Sequence, residues 1–211
     1  NQGLREAGEA GDYVTVLNPD ARHHIGVGLT SAITVRVEGS AGYFCAGLSD
    51  QAHFEVTHNV GWGVGDNMYS GSVQVGGNAG AIPGVAIRGA EIVIQGNMGS
   101  RAGQVMKAGT LCCAGDANFM AGYMMYGGRI IILGDSGERV GEDMSAGEIF
   151  IGGKVQELGS DAMLSDTETS EIEDIRRFLD RYGISFKGSF SKVINAGKKL
   201  RYGNNEQQMR S

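Results

Sequence analysis

Four histidines and three cysteines are the residues of this chain most able to hold a metal or act as nucleophile and base. His23, His24, His53 and His58 contain no pair at zinc-ligand spacing. Cys112 and Cys113 are adjacent and Cys45 is distant, so neither a Cys-x-x-Cys chelate nor a disulfide framework is present in the spacing. In a strand, adjacent side chains face opposite ways. Cys113 then reads as a small core residue and Cys112 as an outward one. The segment Gly-Trp-Gly-Val-Gly-Asp, 61–66, has the glycines of a dinucleotide loop. That loop needs a long helix immediately after it to hold the pyrophosphate at its N-terminus. Here a new strand begins by Ser72, which leaves no room for one. There is no Gly-Lys-Ser/Thr for a phosphate loop, no paired carboxylates and no Ser–His–Asp set.

What the glycines do instead is keep a period. Gly77, Gly96, Gly115, Gly134 and Gly153 lie nineteen residues apart, and His58 and Gly39 extend the column backwards. The next column reads Ser40, Asn59, Asn78, Asn97, Asp116 and Asp135. Gly65, Gly84, Gly103, Gly122 and Gly141 form another, and Met68, Ile87, Met106, Met125 and Met144 an apolar one. Each period carries one short alternating strand, such as Val73 and Val75 or Ile130 and Ile132, whose alternation buries one face. A helical repeat needs more residues per period and a propeller blade about forty. A leucine-rich repeat has an overlapping period, but its Leu-x-x-Leu-x-Leu signature is missing. One strand and several glycine bends per nineteen residues fit one coil of a β-helix, stacked at about 4.8 Å so that like residues lie on like. A right-handed winding is expected, as for most parallel crossovers. The strands end at a glycine before Asn or Asp, which reads as a left-handed turn residue. The Asn/Asp column reads as a side-chain ladder, since a calcium-binding β-roll would need a nine-residue repeat. Val14 and Val16 are the strand of a first, less regular coil, with Gly26 to Ser31 its corner.

The lattice ends near Gly153. Acidic residues crowd the start of the segment after it and arginines its end, which suits a helix dipole. A helix is expected over Glu168–Tyr182, with Ile172, Ile175, Leu179 and Tyr182 on one apolar face and Gly183 as its stop. A basic tail follows from Lys192. The expected organisation is therefore all-β: a right-handed parallel β-helix of about seven nineteen-residue coils over 1–160, then a C-terminal helix and basic tail over 161–211. Outward strand positions are polar in Arg36, Glu55 and Gln74, then apolar in Val93, Cys112, Ile131 and Phe150. An apolar strip of that length calls for a cover. The C-terminal helix is one candidate. A partner subunit is the other, with Val93, Ile131 and Phe150 and the tail residues Lys198, Lys199 and Arg201 as its contacts.

Charge and composition narrow the function classes. A net charge of −6 speaks against nucleic acid or an anionic membrane surface as partner. No run approaches the ~20 apolar residues of a membrane span. The odd cysteine count fits a reducing cytoplasm.

The run from "GDNMYSG" through "GAEIVIQGNMGSRAG" and "AGYMMYGGRIIILGDSGERVGEDMSAGEIFIGG" resembles the GXGXG-motif domain at the C-terminus of the glutamate synthase large subunit. It also resembles that family's stand-alone members, among them a component of N-methylglutamate synthase and rhizobial glutamate-synthase-like proteins. One of the chains of formylmethanofuran dehydrogenase is a more distant likeness. The resemblance covers residues 24–154, and the segments "DIRRFLDRYGISFKGS" and "FSKVINAGKKL" are similar to the region after the domain in glutamate synthases. It implies a β-helix with no catalytic, cofactor or metal residue of its own. It implies chemistry on partners: a glutamine amidotransferase-like subunit and an FMN-binding, iron–sulfur synthase-like subunit. This chain would then be a bridging subunit of such a complex, N-methylglutamate synthase (methylamine–glutamate N-methyltransferase) first. A true glutamate synthase and the scaffold of a formylmethanofuran-dehydrogenase-type metalloenzyme are the alternatives. A self-contained β-helix enzyme, an acyltransferase for example, would need a His or carboxylate cluster at a subunit cleft, and the histidines are sparse.

Overall fold

The computed structural model describes residues 1–10 and 13–197. A short helix, α1 (Gln2–Ala10), comes first, then strands β1 (Tyr13–Leu17), β2 (Thr34–Glu38), β3 (His53–Val56), β4 (Ser72–Val75), β5 (Arg88–Ile94), β6 (Ala108–Cys113), β7 (Arg129–Ile132) and β8 (Glu148–Ile151). From β2 onward each strand stacks parallel on the next in a nineteen-residue register: Val35 on Phe54, Val73 on Ile92, Ile130 on Ile149. The inward residues make one continuous core, with the stack Met68, Ile87, Met106, Met125 and Met144 fully buried. This is the parallel β-helix that the period predicts. The first coil is longer than the rest, since Val14 pairs with Val35, twenty-one residues on. Helix α1 is not foreshadowed by the sequence pattern. Its Leu4 and Ala7 pack against the core at the open end of the solenoid.

The Asn/Asp column is a ladder. The side-chain Oδ1 of Asn59 accepts from the main-chain N–H of Asn78 at 2.8 Å, Asn78 from Asn97, Asn97 from Asp116, Asp116 from Asp135, and Asp135 from Lys154 at 2.7 Å. The glycine beside each rung is needed for a reason other than the left-handed turn expected. Gly77, Gly96, Gly115, Gly134 and Gly153 are not left-handed, and only Gly39 at the head of the column has a positive φ, 136°. A Cβ on Gly77 would sit 2.3 Å from Asn59 Oδ1, and one on Gly115 2.1 Å from Asn97 Oδ1. The ladder itself excludes a side chain there. His58 is accommodated because the rung below it is Ser40, whose shorter hydroxyl accepts from Asn59 N–H at 3.3 Å.

True left-handed residues lie at the opposite corner, three per coil at alternate positions, such as Gly63, Gly65 and Asn67 with φ of 69°, 68° and 52°. Alternation turns their N–H groups up and down the stack. Gly63 donates to Ala81 O, Gly65 back to Cys45 O, and Asn67 forward to Val85 O.

The chain leaves the lattice at β9 (Ala162–Ser165), forms helix α2 (Thr169–Arg181), and returns as β10 (Ser191–Asn195). The ten strands make one sheet in the order β1 to β8, then β10, then β9, with β10 antiparallel to both its neighbours. The sheet therefore runs across the 160/161 boundary, and Lys192, expected to open a basic tail, is a strand residue of β10.

Candidate functional site

The outer face of the sheet divides as its sequence does. On β2 to β4 it stays polar, and Arg36 Nη1 meets Glu55 Oε2 at 3.0 Å across adjacent coils. On β5 to β8, Val93, Cys112, Ile131 and Phe150 are at most 1 % exposed. They form a second core with Ile175, Phe178 and Leu179 of α2 and with Ile184 and Phe190 after it. Of the two covers considered, the chain's own helix is the one in place. Val93, Ile131 and Phe150, expected as partner contacts, are interior residues instead. Phe178 was missing from the expected apolar face and is buried, whereas Ile172 and Tyr182 are only half-buried. The remaining expected contacts, Lys198, Lys199 and Arg201, lie outside the described residues.

Polar clamps hold α2 at both ends. Glu171 in its first turn and Glu148 of β8 share Lys192, whose Nζ lies 2.7 Å from Glu148 Oε1 and also contacts Glu171 Oε1. Burial pulls the Lys192 ammonium towards neutrality, but the two carboxylates outweigh it and hold its pKa above the usual lysine value. For Glu171 burial pushes up, yet bonds from Lys192 and the Glu168 N–H outweigh it and hold the carboxyl below its usual range. At the other end Glu91 accepts from Tyr182 Oη at 2.6 Å and from Arg181 Nη2 at 2.8 Å. Burial, and then the bond to Glu91, push the Tyr182 phenol up.

Among the described residues the histidines and cysteines do not converge on one centre. His53 Nδ1 contacts Ser72 Oγ at 2.9 Å and His58 Nδ1 contacts Thr57 Oγ1 at 2.9 Å, each an exposed pair on one coil or two. Cys113 lies in the inner core and Cys112 in the outer one, so alternation separates them as predicted. Burial pushes the Cys45 and Cys112 thiols up to about 12, the opposite of what a nucleophile or metal ligand needs. Among the described residues no group of three or more His, Cys, Asp or Glu could hold a metal ion. In the Gly61–Asp66 loop the three glycine amides are spent on neighbouring coils: Gly61 donates to Ala41 O, and Gly63 and Gly65 as above. A phosphate finds no free N–H among those three. An open groove of ≈ 790 Å³ beside α2 is lined by Thr110, Arg129, Arg177 and Arg181, but these arginines face Glu148, Asp174 and Glu91.

A surface feature not anticipated from the sequence is an aromatic ridge at the corner of the early coils. His23, Tyr43 and Trp62 stack with ring centroids 4.3 and 5.4 Å apart. Trp62 is 54 % exposed, and Leu48 and Tyr69 on the same pair of coils are 53 % and 52 % exposed. The signal was available, since Tyr43 and Trp62 are nineteen residues apart and so share a column.

By fold the chain is a parallel β-helix protein whose sheet is closed on its outer side by a single clamped helix. No protein-family model matches it. Over 60 residues, 28 % of this chain, it is 42 % identical to Protein GlxC of Rhizobium meliloti (strain 1021). That stretch spans about a quarter of the relative's own length, 26 %. No helix among the described residues is long and apolar enough to cross a membrane.

Proposed function

We propose that this chain carries a GXGXG-type domain and acts as a non-catalytic bridging subunit of a glutamate-synthase-like complex in the cytoplasm. The reaction assigned to the complex is that of N-methylglutamate synthase, in which methylamine and glutamate give N-methylglutamate and ammonia. The active sites then lie on a glutamine amidotransferase-like partner and on a partner that binds FMN and an iron–sulfur cluster. One observation carries the reading: the nineteen-residue glycine lattice running from Gly39 to Gly153 in the pattern of that family. The 60-residue likeness to a rhizobial protein supports it, because rhizobial glutamate-synthase-like proteins belong to the same resemblance. A solenoid stitched at two corners is stiff, and a stiff body can hold an amine-releasing site and a flavin site at fixed separation. With Val93, Ile131 and Phe150 covered by α2, the stacked Tyr43 and Trp62 are among the exposed apolar side chains of the described residues that a partner could use.

The test is purification of the native complex through this subunit, with its visible spectrum and the intact masses of the chains that co-purify. A flavin spectrum, an amidotransferase-like chain and methylamine-dependent formation of N-methylglutamate are expected. Molybdenum or tungsten without flavin, or turnover of a substrate by this chain alone, would overturn the assignment.

A further inference from the structure

The aromatic stack of the early coils does more than pair rings. His23, Tyr43 and Trp62 put one ring on each of three successive coils, with interplanar angles of 17° and 20°. Each ring leans over the glycine of the next coil. A Cβ on Gly42 would meet His23 Nδ1 at 2.2 Å, one on Gly61 would meet Tyr43 Cδ1 at 2.5 Å, and one on Gly80 would meet Trp62 Cδ1 at 2.7 Å. The first ring also accepts a hydrogen bond, from Tyr43 N–H to His23 Nδ1 at 2.8 Å. A nitrogen heterocycle at this corner thus stacks on the next ring and takes up the main-chain donor that follows the glycine.

The coil after Trp62 repeats the backbone without the ring. Ala81 stands nineteen residues after Trp62, and Gly99 nineteen after Gly80. The atoms nearest a Cβ on Gly99 are main-chain ones of Gly80 and Ala81, all at 2.6 Å. Tyr43 covers one face of Trp62, and the coil beyond offers the other face only the Ala81 methyl, so Trp62 stays 54 % exposed. Ser100 follows Gly99 as Tyr43 follows Gly42, and its N–H has no acceptor among the described residues. The N–H groups of Trp62 and Ala81 lack one too, but their preceding glycines lie under ring carbons. One coil past Ser100, Asn118 replaces the glycine and its Oδ1 accepts from Phe119 N–H at 2.7 Å. The column meets this donor with a heterocycle at Tyr43 and with an amide oxygen at Phe119, and leaves it open at Ser100. We infer that the shelf of Trp62, Ala81, Gly99 and Ser100 binds a small nitrogen heterocycle, a nucleobase-like ring with a bare in-plane acceptor. The ring continues the stack on Trp62, and its acceptor takes the Ser100 N–H as His23 Nδ1 takes that of Tyr43. Stacking on one face plus one hydrogen bond supports an affinity of about 1 mM. The inference is independent of the complex proposed above.

Trp62 is the single tryptophan of the chain, so its fluorescence reports the shelf directly. The experiment titrates adenosine, as the probe, into the full chain. Saturable quenching is expected, with a Kd of about 1 mM. The Ser100 amide resonance should shift along the same isotherm. Benzyl alcohol, which has a ring without an in-plane acceptor, should leave that resonance in place. Ala81→His supplies the ring from the chain itself, as His23 does one corner earlier, and should weaken adenosine binding at least about tenfold. Trp62→Ala removes an exposed ring, so the fold should persist, and the adenosine-induced shift at Ser100 should be lost. Quenching that stays linear in adenosine, a Ser100 amide that does not move, or binding unchanged in either variant would each overturn the proposal.

Discussion

Gly77→Ala isolates the force that keeps glycine beside the ladder. Gly77 is not left-handed, so alanine carries no backbone penalty there. Stiffening the unfolded chain would even favour the folded state by about 0.4–1 kcal/mol. Against this, the new Cβ would meet Asn59 Oδ1 at 2.3 Å, with its other neighbours, His58 C and O, no nearer than 3.1 Å. Overpacking of that kind costs about 1–3 kcal/mol. Displacing Asn59 also breaks its bond from Asn78 N–H, a further loss of about 1 kcal/mol. The net expectation is destabilisation by about 1–4 kcal/mol. Asn59→Ser alone should cost less than about 1 kcal/mol, because Ser40 shows that serine can serve as a rung. In the double variant the shorter hydroxyl leaves room for the alanine, as Ser40 does for His58. The pair should therefore be more stable than Gly77→Ala alone, with a coupling of about 1–2 kcal/mol. Urea unfolding of all four proteins measures this, provided the slopes agree. Additive losses would refute the close-approach argument and return the glycine column to a backbone explanation.

Acid should release the outer helix. Glu171, in the first turn of α2, has its folded pKa held below the usual range: burial raises it, and bonds from Lys192 and the Glu168 N–H outweigh it. Groups of this kind add stability above the unfolded carboxylate pKa and lose it as pH falls through the folded value. Titrating from neutral pH into that range should expose the Val93–Phe150 strip to a hydrophobic dye, and Glu171→Gln should shift the onset to higher pH. Unchanged dye binding down to the lowest pH would contradict the clamp. The three cysteines are buried, and burial raises the thiol pKa of Cys45 and Cys112 to about 12 and that of Cys113 as well. A thiol reagent at mildly alkaline pH should modify none of them in the folded chain and three after denaturation.

The parts of the fold legible in the sequence were those that stacking repeats. A column of identical residues is visible because each coil places that position in the same surroundings. Strands, core stacks and the Asn/Asp ladder could all be read that way. Elements outside the lattice could not. Helix α1 is short, with too few apolar residues to show a period. Strand β10 was hidden because Lys192 and Asn195 look solvent-bound, and only the partners Glu148, Glu171 and Met144 O show why they are not. The glycine column was visible, but its cause was misassigned. Positive φ and close approach select the same residue, and only coordinates separate them.

The same ambiguity decided the candidate site. An outward apolar residue on a solenoid strand records that something covers it, and carries no record of the cover's identity. Val93, Ile131 and Phe150 met that description equally under a partner or under α2. The amphipathic helix sixteen residues beyond the last lattice glycine was the local answer, and a local cover is entropically cheaper than one brought from another chain. Exposed residues that remain once local covers are in place carry more information. By that criterion the stacked Tyr43 and Trp62, with Trp62 54 % exposed, are a better guide to a partner than the covered strip. They lie on the early coils, whereas α2 packs on β5 to β8, so a partner bound there leaves the clamp intact.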